Sequence, residues 1–461
     1  MRRLLLAVLL VGAAVAVALA WAQVRREREY VALVRQGDEA VARRDAPAAI
    51  EFYSGAIGLS PDPMIAWFRR GEVYRTRGDL PAALRDLREA TKRDPSAFVA
   101  IERLGDVHFA LERYDRAAER YEACLALDDT SASILYKLGL ARFYDGQLDR
   151  AVGALTRAVA IRPVFAEAHY LLGICLTERA GTADAAAGAA ALQRAVELAP
   201  AMLAAREELA SLEGRRGRKG AQLRQLEALA VLDPERPERH ATLARAYLDL
   251  GRPDLAAVTL VRANERLPDE PRLLLELGRV WLAEAERSGE RVDLSKALAA
   301  LGRAAERQPS SEALALLGRA QLRAGHARQA LAVLQQAAGR YPVDPLALPT
   351  LAAAAERLGR VELARTALVR EAALVGDQGE PRDVARRFEA IAALCGRLGD
   401  EVAARHWLDR ALDVEPANAR VASRLVSLQR AAGDDGAAEA TLARALAASP
   451  DDPALLALRR R

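Results

Sequence analysis

Residues 64–95 read MIAWFRRGEVYRTRGDLPAALRDLREATKRDP, and that stretch spells out two helices and the turn between them. Trp67, Gly71 and Tyr74 stand at i, i+4 and i+7, one stripe of a helix. Gly78 follows where a left-handed residue ends a helix. A second apolar stripe runs through Ala83, Leu87 and Ala90. Pro95 stops it, because proline has no amide hydrogen and clashes with the preceding turn. The small Gly71 lets the second helix approach the first closely. Each helix has an apolar face, and one hairpin cannot cover both.

The pattern recurs outward from this stretch. Gly37, Gly71, Gly105, Gly139 and Gly173 follow one another at intervals of 34 residues. At matching offsets Gly37 is followed by Ala49, Tyr53, Ala56 and Pro61, and Gly139 by Ala151, Leu155, Ala158 and Pro163. A second glycine recurs at Gly78, Gly146, Gly217, Gly251, Gly325, Gly359, Gly399 and Gly433, each at the end of a first helix. Units start near Tyr30, Met64, Phe98, Ala132, Ala166, Leu203, Pro237, Pro271, Ser311, Pro345, Ala385 and Ala419.

This repeat resembles the tetratricopeptide repeat, whose units carry an aromatic or Leu, then Leu-Gly, a Tyr, and later Ala, a large apolar residue, Ala and Pro. Leu243, Ala244, Tyr247, Ala256, Leu260, Ala263 and Pro268 repeat the pattern late in the chain. The resemblance covers essentially everything between the amino-terminal segment and Asp452. It implies an all-α fold, a right-handed α-solenoid of about twelve helical hairpins in which contacts run between neighbours only. The layout expected is residues 25–378 as units one to ten, a joint at 379–384, units eleven and twelve over 385–452, and a capping helix over 453–461. The joint is expected because the tenth unit loses its Ala and Pro registers, at Glu371 and Gly376. The fifth unit carries extra residues near Gly181–Gly188 and the eighth around Ser288–Arg291, both expected at the turn between helices.

Residues 1–24 are different in kind. After Arg2 and Arg3 an apolar run extends from Leu4 to Ala22, followed by Arg25, Arg26 and Arg28. At helical rise the run spans about 28 Å, enough for a bilayer core. Trp21 sits where an interfacial aromatic would. The same run ends in Ala20-Trp21-Ala22, an A-x-A cleavage site, so a transmembrane anchor and a signal peptide both fit. Either one places the repeats outside the cytoplasm. An excess of Arg over Lys fits a bacterium, hence a single pass of the inner membrane with periplasmic repeats. The alternatives are a cytoplasm-facing array or a cleaved, periplasmic chain.

Chemistry is sparse. The 67 basic and 63 acidic residues are interspersed, as on solvated helix faces, and give no case for nucleic acid. Cys124, Cys175 and Cys395 form no CxxC pair and fall in apolar helical patterns. No nucleotide loop, HExxH or GxSxG occurs. His108, His169 and His240 fall on the stripe that faces the partner helix. The expectation is a chain that is not an enzyme, with no cofactor, no metal and no small-molecule substrate. Its partners are other proteins, as peptide or helical segments, and the membrane through residues 4–22.

Family members that dock chaperones use a Lys three residues before the register glycine and an Asn one after it. Here those places hold Val34 and Asp38, Phe68 and Glu72, Glu102 and Asp106, Tyr136 and Leu140, which argues against a terminal EEVD-type peptide. In stacked units the first helices line the concave surface. On that stripe lie Phe68, Phe109, Tyr136, Phe143, Tyr144 and Tyr170, bordered by Glu72, Glu102 and Asp106. Two readings stay open: these rings are binding anchors, or they pack between neighbouring first helices. Later units place Arg245, Arg279, Arg319, Arg323, Arg357, Arg397 and Arg430 there, so the surface is expected to turn basic. The function that follows is a membrane-tethered scaffold, by analogy with bacterial repeat proteins of envelope assembly, secretion and polysaccharide export. The alternative is an adaptor subunit that recruits an enzyme at the membrane.

Overall fold

The computed structural model describes residues 2–179, 182–376 and 378–459, with the side chains of residues 2–8, 182 and 183 outside that description. Every regular element among the described residues is an α-helix. Twelve antiparallel hairpins follow one another, from Arg2–Ala42 with Ala46–Leu59 to Ala419–Ala431 with Asp435–Ala448, and a last helix, Pro453–Arg459, closes the series. The first helices of units two to nine begin at Met64, Phe98, Ala132, Ala166, Leu203, Pro237, Pro271 and Ser311. The fold is an all-α solenoid. The chain divides into two compact units, Met1–Gln225 and Leu226–Arg461.

Hairpin geometry follows from a few residues. The turn glycines Gly78 and Gly146 hold φ of +79° and +75°, a left-handed conformation that costs glycine nothing. Unit three manages the same turn with Glu112 at φ +57°. Asp79, Asp400 and Asp434 then cap the second helix, each accepting the amide hydrogen of the residue three further on. At the helix crossing a Cβ on Gly105 would fall 2.7 Å from the Tyr121 ring, so only glycine lets the helices come this close.

Three expectations change. The extra residues of unit eight lengthen both helices, Pro271–Ser288 and Arg291–Arg307, leaving only Gly289 and Glu290 between them. In unit five they lengthen the second helix, Thr182–Leu198, and Gly181 lies outside the described residues. Unit eleven begins at Pro381, not Ala385, and unit ten at Ala347, not Pro345. One apolar cluster runs from Leu322 through Leu368, Val384 and Phe388 to Leu455, so the core continues across residues 379–384. Leu455 brings the closing helix into that cluster, and Arg460 and Arg461 lie outside the described residues.

The amino-terminal run and the first repeat helix are one uninterrupted helix, Arg2–Ala42. Leu9, Val15 and Trp21 are exposed along it, and Tyr30 is its first buried residue among the described side chains. Among the described residues this is the one helix long and apolar enough to cross a membrane.

Candidate functional site

Units two to five present the aromatic residues singled out above in two arrangements. Phe68, Tyr136 and Tyr170 stand three residues before a register glycine, one per unit, and all three are half-buried. Each packs against an apolar cluster that includes residues of the following first helix. Phe68 packs on the cluster holding Leu104 and Val107, Tyr136 on that holding Leu171 and Leu172, and Tyr170 on that holding Leu209 and Leu212. Tyr136 also meets Phe165, with ring centroids 5.1 Å apart. Burial pushes the Tyr136 and Tyr170 hydroxyls above the ordinary tyrosine range. These rings are wedges between successive first helices with one edge left uncovered.

The other three gather. Phe109 lies 5.6 Å from Tyr144, and Phe143 lies 5.4 Å from Tyr144, both edge-on. Tyr114 joins them, stacked on Tyr144 at 5.1 Å and edge-on to Phe109 at 5.2 Å. Offset and T-shaped contacts of this kind are the favoured aromatic geometries. Tyr144, 54% exposed, is the outward member of the cluster. Tyr114 was missed in the sequence because it opens a second helix, Tyr114–Leu127, whereas only first helices were read for the surface.

The acidic border is internally neutralised. Unit three has Glu102 where its neighbours have an aromatic ring. Lys137 donates to Glu102 at 2.6 Å and to Asp106 at 2.7 Å, tying unit four to unit three. Asp106 also accepts from the Tyr121 hydroxyl at 2.9 Å, and Asp38 from Tyr53 at 2.7 Å. Burial first, and then Asp106, push the Tyr121 hydroxyl far above its usual range. Glu72 pairs with Arg75 at 2.8 Å and Arg103 at 3.5 Å. What remains for a ligand is an aromatic surface with its charges already paired.

Four of the seven later arginines are likewise committed to carboxylates, so the expected basic surface is reduced. Arg245 pairs with the buried Glu276, Arg279 with Glu276 and Glu312, and Arg319 with Glu286 at 2.6 Å. Arg397 pairs with Glu356 at 2.7 Å. Arg357 donates to the Leu322 carbonyl at 2.6 Å and Arg430 to the Leu458 carbonyl at 3.1 Å. Arg323 is exposed. These contacts form a ladder that links unit seven through to unit eleven, and unit twelve to the closing helix.

The histidines do structural duty. His169 and His240 reach the carbonyl oxygens of Pro163 and Pro234 at 3.1 and 2.9 Å, closing the end of the preceding helix. Cys124, Cys175 and Cys395 are buried, and burial pushes the first two thiols up to about 12.

A tetratricopeptide repeat profile matches residues 34–98, 136–190, 242–290 and 315–381, about half of the chain. Two further profiles of that repeat match residues 105–144 and 397–461. No curated protein matches the chain. Among solved structures, MamA from Desulfovibrio magneticus is 22% identical over 38% of this chain and 97% of its own, with a TM-score of 0.35. Cut9–Hcn1 of the APC/C is 15% identical over 94% of this chain and 96% of its own, at 0.37. YrrB, a repeat protein with a peptide-binding site, is 20% identical over 41% and 95%, at 0.35. With the profile matches laid over hairpins of matching length and register, the chain belongs to the tetratricopeptide repeat family.

Proposed function

We propose that this chain is a membrane-tethered scaffold that captures segments of partner proteins along the aromatic face of units two to five. The supporting observation is the cluster of Phe109, Tyr114, Phe143 and Tyr144, which leaves a tyrosine 54% exposed beside a series of half-covered rings. Exposed aromatic residues next to apolar surface are frequent binding anchors, and an amphipathic helix or an extended segment is the occupant such a face suits. The apolar run of residues 4–22 supplies the tether, in an inner membrane with the array in the periplasm, where envelope assembly, secretion or polysaccharide export needs such scaffolds.

The test separates the two arrangements. A photocrosslinker placed beside Tyr144 in native membranes identifies the partner. Tyr144→Ala then weakens its capture by about 1–3 kcal/mol and lowers the melting temperature only slightly, by the loss of its ring contacts. Tyr136→Ala with Tyr170→Ala lowers both, because those rings also wedge adjacent units. Undiminished capture by Tyr144→Ala refutes the proposal. A carbonate wash tests the tether, and release of a soluble species beginning at Gln23 would replace it with cleavage. A reporter fused after the last helix tells the periplasmic scaffold from a cytoplasm-facing adaptor.

A further inference from the structure

We propose a second partner site on the opposite set of helices: the cleft between the second helices of units two and three binds an acidic peptide segment. The cleft is a cavity of about 950 Å³. Arg88 and Lys92 stand on one wall, on the helix Leu80–Arg93. Arg113, Arg116 and Arg120 stand on the other, at the start and along one stripe of Tyr114–Leu127. Spacings of four residues on one wall and of three and four on the other repeat the cations at about 5–6 Å along each helix. Two facing rows with that repeat match carboxylates presented a turn apart, or on alternate residues of an extended chain.

The charge is only partly compensated. Arg116 pairs with Glu119 at 3.0 Å and Arg120 with Glu119 at 3.5 Å, while Asp115 lies 3.8 Å from Arg116. Arg88, Lys92 and Arg113 form no ion pair among the described residues, although Glu89, outside the cleft lining, lies near enough to Lys92 to feel its charge. Five cations thus face two carboxylates. The floor is apolar, formed by Ile101 and Leu104, with His108 beside them. His108 is 6% exposed and its Nδ1 has no hydrogen-bond partner. Burial, and then the charges of Arg120, Arg88, Arg113 and Arg116, hold this imidazole neutral down to about 4. The field in the cleft is therefore felt at its floor.

Size and shape select the occupant. A single inorganic anion fills a small part of such a volume and meets one wall at a time. A segment alternating Asp or Glu with Leu sets carboxylates against both rows and apolar side chains against the floor. The cations of the cleft stand on or at the start of second helices and its floor on the first helix Phe98–Ala110. Of the aromatic cluster, Tyr114 and Phe109 share those helices, while Phe68, Tyr136, Tyr144 and Tyr170 lie on first helices outside the cleft lining, so Tyr144 can be changed without altering a cleft residue.

The test uses the full chain in detergent micelles and a short fluorescent peptide alternating Glu and Leu, read by anisotropy. Its Gln–Leu counterpart is the control. Arg88→Ala with Arg113→Ala removes two cations that hold no ion pair, and is expected to weaken binding about tenfold and to flatten its salt dependence. Tyr144→Ala is expected to leave it unchanged, which keeps this site distinct from the aromatic face. Equal binding of the Gln–Leu peptide, undiminished binding by the double variant, or displacement by inorganic phosphate at peptide-like concentration would each overturn the assignment.

Discussion

Unit four carries two helical glycines for which the same substitution should have opposite signs. A Cβ added to Gly139 falls 2.6 Å from Cγ and 2.8 Å from Cδ2 of Leu155. Leu155 is fully buried and has no solvent to retreat into. Overpacking of this kind costs about 1–3 kcal/mol. Alanine returns about 1 kcal/mol by restricting the unfolded chain and favouring the helix. Gly139→Ala should therefore destabilise the unit by up to about 2 kcal/mol. Gly153, on the next helix, is exposed and has nothing within 4 Å of an added Cβ. Gly153→Ala keeps the gain without the clash and should stabilise by about 0.5–1 kcal/mol. Because contacts are between neighbours, the assay is native-state hydrogen exchange of the amides in Ala132–Tyr144 and Leu148–Ile161 rather than a global melt. Leu155→Ala added to Gly139→Ala should cost less than the two single losses combined, since the clash disappears with the side chain. A Gly139→Ala variant as well protected as Gly153→Ala would show that the helix spacing adjusts freely, and the close-approach account of the repeat would fail.

Other groups make shorter tests. His108 titrates near 6.5 in the unfolded chain and near 4 in the fold, so between those values the unfolded chain binds more protons. Stability from this group is complete above pH 6.5 and falls by up to about 3 kcal/mol as pH drops towards 4. His108→Leu should remove that part of the slope, and equal slopes from pH 7 to 4.5 in the two proteins would refute it. Asp86 is fully buried and bonds Arg70 at 2.6 Å and Arg85 at 2.9 Å. Asp86→Asn strands the Arg70 charge and should cost about 3–5 kcal/mol by hydrogen exchange in unit two, with Arg70→Met plus Asp86→Leu recovering much of it. The buried thiols of Cys124 and Cys175 should stay unreactive to a maleimide near neutral pH until denaturant is added. Prompt labelling of the native chain would contradict their burial.

The sequence made the helices legible because each crossing demands a small residue and each turn a left-handed one. Both requirements repeat with the unit. Lengthened helices were harder to see. The extra residues of unit eight include Ala283, Glu284, Ala285 and Glu286, good helix formers that extend a helix instead of looping out. Arg382 and Asp383 hid the early start of unit eleven, although Val384 is fully buried. The arginine ladder stayed hidden because its partners lie about one repeat away, 33 residues between Arg319 and Glu286 and 31 between Arg245 and Glu276. One signal was available and unread: Asp one residue after the register glycine occurs with Tyr fifteen residues later, as in Asp38 with Tyr53 and Asp106 with Tyr121. For the aromatic face, residue type marked the candidates, but only packing divides the wedges from the outward Tyr144.

The unbroken helix Arg2–Ala42 has a mechanical consequence for a chain held by residues 4–22. Only seven residues separate Ala22 from Tyr30, the first buried side chain among the described residues, and the eight helical steps span about 12 Å. No slack linker intervenes, so if that run is the tether proposed above, the first hairpin would stand at a set height above the lipid headgroups and turn only as the whole helix turns. A partner in the same membrane would then meet it by lateral diffusion in two dimensions, at a local concentration governed by that short rigid stem rather than by the reach of a flexible tether.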